Sequence, residues 1–283
     1  MNARFLTSDG LTLIGDLLGS GSGPAIIFLH GGGQTRHSWD HAMRRAADQG
    51  YVALSYDARG HGDSDWSPDG DYGVLRLAED LRSVRASLVS KVALVGASMG
   101  GMTALQAVGN EPAGFADVLV LVDIVPRPAT AGTDKIRAFM LAHQDGFATI
   151  EEAADAVSAY NPARPRPADV SGLGKNLRRR DDGRYYWHWD PHLLSTSPAS
   201  EPPAFQEPLI EASARVKIPT MLIKGGRSDI VDDEGIAEMC RLIPQTEVCE
   251  VSGAGHMVVG DRNDAFNDGL FEFLHRHLPP VTG

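Results

Sequence analysis

The chain is poor in cysteine and in positive charge, and it has no long apolar run. Its 283 residues hold two cysteines, Cys240 and Cys249. Two are too few for a disulfide framework at this length, so free buried thiols in a reducing compartment are expected. Lys and Arg number 26 against 37 Asp and Glu, a formal net charge of -11. That balance argues against a nucleic-acid partner, because gripping a phosphate backbone takes clustered cations. The single basic run, Arg178-Arg179-Arg180, is followed at once by Asp181 and Asp182. It reads as a solvated, self-compensated surface. No segment approaches the ~18 consecutive apolar residues that span a bilayer. The stretch Met1 to Gly10 also lacks the apolar core of a secretory signal. A cytoplasmic protein with no membrane partner is the expectation.

What is present is an ordinary globular composition, 42% hydrophobic and 22% charged. The length suits one α/β domain carrying an insertion. Asp9-Gly10 predicts a two-residue hairpin turn between Phe5-Leu6-Thr7 and Leu11-Thr12-Leu13-Ile14. From Pro24 onward, short apolar runs alternate with longer amphipathic stretches. The runs are Ala25 to Leu29, Val52 to Tyr56, Val92 to Val95, Val118 to Val122, Thr220 to Ile223 and Glu247 to Val251. The first four are almost continuous in Val, Ile, Leu and Ala, as in strands covered on both faces. Leu75 to Leu88 and Ser98 to Val108 read as helices between them. The alternation predicts a mostly parallel central sheet flanked by helices.

Between residues 126 and 215 the rhythm breaks. No convincing strand runs occur there. Helical pieces (Lys135 to His143, Ile150 to Tyr160) accompany a tract holding Pro162, Pro165, Pro167, Pro198, Pro202, Pro203 and Pro208. This is read as an inserted, largely helical cap, with the core formed by residues 1–125 and 216–283.

Chemistry concentrates in three loops. Gly96-Ala97-Ser98-Met99-Gly100 stands between a strand run and a helix, and so fits G-x-S-x-G. A turn of this kind lifts Ser98 Oγ clear of the sheet and aims the Met99 amide at the same space. The following helix adds its positive N-terminal end where a negative oxygen would develop. A serine needs a base. Of ten histidines, His256 in Ser252-Gly253-Ala254-Gly255-His256-Met257 is the best placed, past the last strand run and before the final helix. The acid that orients it is assigned to Asp229, in the Gly-rich loop Gly225-Gly226-Arg227-Ser228-Asp229. Asp123, at the end of the run Val118 to Val122, is the rival. Asp57, after another strand run, is expected to shape its Gly-rich turn. A second oxyanion donor beside Met99 is expected from His30-Gly31-Gly32-Gly33-Gln34, with Gly32 preferred over Gly31 and Gly33. Neither G-K-[ST] nor G-x-G-x-x-G is present, so this glycine loop is not read as a phosphate cradle.

Together these stretches resemble the α/β-hydrolase superfamily: His30-Gly31-Gly32 with Trp39 downstream, Asp57-Ala58-Arg59-Gly60-His61-Gly62-Asp63-Ser64, the Ser98 elbow, Arg227-Ser228-Asp229 and Gly255-His256. The order serine, acid, histidine is the superfamily's own. The resemblance implies a Ser98, His256, Asp229 triad, no cofactor, no metal and two-step hydrolysis of a small-molecule carboxylic ester or lactone. Epoxide hydrolases and haloalkane dehalogenases share the Asp57 to Ser64 pattern but carry aspartate at the elbow. The serine argues against both. Carbon–carbon bond hydrolases of aromatic breakdown and cofactor-free haloperoxidases or perhydrolases share the triad and remain the alternatives. A non-catalytic binding protein on the same fold is the third.

The substrate pocket is expected from the cap. Tyr186, Trp187 and Trp189 in the aromatic run, with Met257 from the histidine loop, are its candidates; for Met257, as for Met140, core filling is the competing and preferred role. Packing of cap on core is the competing role for the aromatic residues.

Overall fold

The computed structural model describes residues 2–19, 23–111, 113–162, 166–194, 206–252, 255–256 and 264–280. Met257, Pro165, Pro198, Pro202 and Pro203, all named above, lie outside them.

An eight-stranded sheet forms the centre. Its strands are β1 (Asn2–Leu6), β2 (Thr12–Leu18), β3 (Ala25–Leu29), β4 (Val52–Tyr56), β5 (Val92–Ala97), β6 (Val118–Val122), β9 (Thr220–Gly225) and β10 (Thr246–Val251). They lie side by side in the order β1-β2-β4-β3-β5-β6-β9-β10. The pairs from β4 to β10 are parallel, while β1 and β2 join antiparallel. Strands β3, β5 and β6 are buried at every position. Alternation divides their side chains between two apolar clusters, one on each face. Ile27, Leu94 and Leu121 lie in one; Ile26, Phe28, Val95 and Val120 lie in the other. This double burial is why the runs are continuous rather than alternating. The N-terminal hairpin forms, but across five residues rather than two. Leu6 pairs with Thr12, and Thr7 N–H donates to Leu11 O at 2.9 Å. Gly10 takes a left-handed φ of 89° that closes this longer loop.

Helices α1 (Asp40–Asp48), α2 (Val74–Arg85), α3 (Met99–Asn110), α6 (Gln206–Arg215), α7 (Asp233–Leu242) and α8 (Asp264–His277) cover the sheet. The inserted segment carries α4 (Thr130–Leu141), α5 (Ile150–Tyr160) and a small antiparallel pair, β7 (Leu177–Arg179) with β8 (Tyr185–Trp187). The pair escapes the sequence reading because each strand is three residues long. Thr149 accepts the Glu152 N–H while Glu152 Oε2 takes the Ala148 N–H, a capping arrangement that starts α5 where expected. Met140, Phe147, Leu177, Trp187 and Trp189 form the segment's own apolar cluster.

The expected boundary at residue 215 is displaced. Helix α6 packs on α3, with Leu209 in the main core, Ala212 buried and Arg215 Nε donating to Gly109 O at 2.7 Å. A β-carbon at Gly109 would sit 2.4 Å from Ala212 O, so the two helices are in backbone contact. Residues 206–215 therefore belong to the core layer. Among the described residues no helix is long and apolar enough to cross a membrane.

Candidate active site

The C-terminal ends of the parallel strands share one edge of the sheet, where open α/β sheets carry their ligands. Ser98 follows β5 directly, in a strained left-handed conformation with φ 47° and ψ -116°. Its N–H donates to Val122 O at 3.1 Å, and its carbonyl receives Met102 N–H at 3.0 Å. The flanking glycines are a packing requirement. A β-carbon at Gly96 would fall 2.4 Å from Gly100 O, and one at Gly100 would fall 2.4 Å from Leu29 O. Met99 opens α3, so its N–H has no acceptor within the helix.

Asp123 follows β6 directly and is fully buried, again with a left-handed φ of 49°. Its own N–H donates to Ile223 O at 2.7 Å. Oδ1 accepts the Gly225 N–H at 2.8 Å, and Oδ2 accepts the Ser228 hydroxyl at 2.7 Å. The remaining donor is His256 Nδ1, 2.8 Å from Oδ2. Among the described residues three donors thus fix the carboxylate, and it fixes the imidazole ring.

Asp229, the residue assigned to this role from sequence, is elsewhere. Its carboxylate is half-exposed and accepts from Lys135 Nζ at 3.1 Å. The acid beside His256 is Asp123. Asp229 stands four residues past the end of β9, and its loop turns toward α4. Its neighbour Ser228 is the member of that loop that reaches the site.

The glycine loop after β3 is held from outside. Gly31 N–H donates to Gln34 Oε1 at 3.0 Å, and Gly33 N–H donates to His61 Nε2 at 3.2 Å. Among the described residues no acceptor meets the Gly32 N–H, which leaves it as the loop's available donor. Three buried histidines stand behind the loop, with ring centres 5.0 Å apart for His30 and His61 and 5.8 Å apart for His61 and His188. His30 Nε2 accepts the Ala58 N–H, and His188 Nδ1 accepts the Gly62 N–H. Each ring's other nitrogen faces a carbonyl oxygen: Gly31 for His30, Arg59 for His61 and Gly33 for His188. All three must therefore be neutral. Burial lowers the pKa of each, that of His61 well below the usual histidine range and that of His188 to about 3. Sequence reading missed this stack. The runs His30-Gly31 and His61-Gly62 were its only local signal.

Asp57 accepts the N–H groups of Arg36 and Asp63 at 2.7 and 2.9 Å and pairs with the Arg36 guanidinium, the turn-shaping role expected of it. Arg178 is not balanced by its chain neighbours; it reaches Asp63 at 2.8 Å.

Ser98, Met99, His256 and the loop Gly31 to Gly33 line one cavity of about 1110 Å³ beneath the inserted segment. Trp187 and Trp189, stacked with centres 4.9 Å apart, line it too, as does Met140. The same residues belong to the segment's apolar cluster, so lining and packing are one role here. Tyr186 is not part of the lining. Strand alternation turns it to the other face of β8, under the Arg180 guanidinium and with its hydroxyl on Asp182.

Residues 24–262 match the model of the alpha/beta hydrolase fold family. The chain is an α/β-hydrolase. This α/β-hydrolase is 32% identical over 249 residues to esterase Rv0045c of Mycobacterium tuberculosis, covering 86% of this chain and 80% of the relative. It is 31% identical over 267 residues to the sn-1-specific diacylglycerol lipase ABHD11 of Mus musculus, covering 89% and 81%. The solved structure of E-2-(acetamidomethylene)succinate hydrolase superposes with a TM-score of 0.84, covering 97% of this chain and 98% of that one at 24% identity. That last likeness is one of fold.

Proposed function

We propose that this α/β-hydrolase is a serine carboxylic ester hydrolase. Ser98 is the nucleophile, His256 the general base and Asp123 the acid that orients it. The observation that carries the reading is the 2.8 Å bond from His256 Nδ1 to the buried Asp123 carboxylate, on the cavity that also holds the strained Ser98. With Nδ1–H committed to Asp123, Nε2 is the ring's basic nitrogen and is free to take a proton from Ser98 Oγ.

Chemistry then proceeds in two displacements. Ser98 Oγ attacks the ester carbonyl as its proton passes to His256 Nε2. The N–H groups of Met99 and Gly32 receive the developing oxyanion. The tetrahedral centre collapses, breaking the bond to the alcohol, which leaves with the proton from His256. Water repeats the sequence on the acyl-enzyme, giving the acid and restoring Ser98. The carboxylate of Asp123 stays ionised throughout and stabilises the imidazolium. The aromatic and aliphatic lining suits an apolar part of a small substrate. Relatives named as an esterase and as a diacylglycerol lipase support ester substrates.

Hydrolysis of p-nitrophenyl esters from acetate to long chains tests this reading. Wild type is expected to turn them over, and Ser98→Ala to lose about 10³-fold or more in kcat. Wild type inactive on every ester of the series would overturn it.

A further inference from the structure

The cavity wall carries three long cationic side chains, Arg76, Arg137 and Lys175. Two of them are paired. Arg76 holds Asp71 at 3.3 Å and Glu79 at 2.5 Å, and Lys175 Nζ lies 3.4 Å from Asp40. Half-buried Arg137 has no hydrogen bond, ion pair or ring contact among the described residues. The chain has 37 acids to 26 bases. A cation left unpaired in a largely apolar cavity is anomalous against that excess.

Its position on α4 relates it to the reaction centre. Met140 follows three residues later, on the same helix face and about 4.5 Å along the axis. Met140 touches the oxyanion loop: β-carbons at Gly32 and Gly33 would each lie 3.6 Å from its terminal atoms. Arg137 therefore stands on the same wall, about one helical turn along α4 from the residue that meets that loop. Lys135, on another face of the helix, is engaged by Asp229 and the Tyr160 ring. Asp134 is exposed, lines the cavity and forms no ion pair with Arg137.

From this arrangement we infer that the substrate carries a free carboxylate which Arg137 receives, so that the preferred esters are short half-esters of dicarboxylic acids or esters of similar anionic acids. The inference rests on the ester-hydrolase reading above and names its substrate class. The guanidinium fork matches a carboxylate with two parallel N–H bonds. One unpaired cation matches a single negative charge better than a phosphate dianion.

Two measurements test it together. In the first, kcat/KM is compared for a p-nitrophenyl half-ester of glutaric acid and for its methyl-capped, neutral counterpart. Wild type should favour the anionic ester, and Arg137→Gln should cut that preference about 10- to 100-fold. Lys135→Gln should leave the ratio unchanged. Wild type with no preference, or Arg137→Gln with an unaltered ratio, overturns the inference. In the second, calorimetry follows glutarate binding to wild type and to Arg137→Gln. Binding lost in the variant supports the carboxylate site even if neither ester is hydrolysed, an outcome that would sink only the esterase reading. Glutarate that binds neither protein, or both equally, overturns the site.

Discussion

His188 Nε2, carried by the inserted segment, lies 3.3 Å from the carbonyl oxygen of Gly33 in the glycine loop after β3. The other side of Gly33 is held by the core, through His61. One residue of the loop is therefore clamped between the two parts of the molecule, next to the Gly32 N–H. His188→Ala should let the loop drift, and a misplaced donor costs the transition state more than the ground state. We expect kcat on p-nitrophenyl acetate to fall about 10- to 100-fold, with KM changed far less. A kcat within twofold of wild type, in a variant that still folds, would show that the clamp does not matter.

Two aspartates compete for the acid role, and it is proposed for Asp123, which bonds His256, over Asp229, which bonds Lys135. Asp123→Asn removes the charge that stabilises imidazolium and favours the wrong tautomer, so kcat should drop about 10²- to 10⁴-fold. Asp229→Asn disturbs only a half-exposed contact with Lys135 and should stay within about threefold. Steady-state assays on one ester distinguish them, and the reverse ranking would restore Asp229.

Acid should destabilise the fold through the histidine stack. Folded, His30, His61 and His188 hold their pKa values below the ordinary one, because burial penalises their charged forms. Unfolded, each binds a proton near pH 6.5. Below that pH the unfolded chain binds more protons, so stability falls as pH drops and is fully present above it. Each histidine contributes a slope of up to about 1.4 kcal/mol per pH unit. For His188 the loss continues down to about pH 3. Denaturant unfolding at pH 7.5, 6 and 5 should show this decline, with a shallower slope in His188→Gln. Equal slopes in the two proteins would remove His188 from the account.

The elbow glycine Gly100 admits no side chain, since a β-carbon would meet Leu29 O at 2.4 Å and His30 O at 2.7 Å. Gly100→Ala must push α3 away from the end of β3. A loss of about 1–3 kcal/mol in stability is expected, together with reduced turnover, because Ser98 and the glycine loop shift apart. Thermal melts and ester assays check both. An unaltered melting temperature would mean that the contact relaxes freely.

Much of this protein was legible before folding. Residues buried on both faces wrote the strands β3, β5 and β6 as unbroken apolar runs. The strained serine turn was written in its flanking glycines, because close backbone approach leaves no alternative. The helix α5 was legible as the run Ile150 to Tyr160. Such signals are local, and a one-dimensional pattern carries them. The strands β7 and β8, at three residues each, were too short to show a period. The placing of α6 on α3 depended on which apolar face found a partner.

The acid proposed for the site became legible only in the tertiary structure. Asp123 and Asp229 both follow strands, and both precede His256 in the chain. The sheet places β6 next to β5, and Asp123 follows β6 with no loop between. Its carboxylate is therefore held at the strand ends, beneath the histidine. Asp229 stands at the end of a loop that can turn either way. The histidine stack is of the same kind. His30, His61 and His188 come from three distant segments, and nothing in the sequence says that their rings share one buried column. Composition and spacing determined which chemistry the chain is equipped for. Strand order and loop direction, set by long-range packing, determined which side chains meet to perform it.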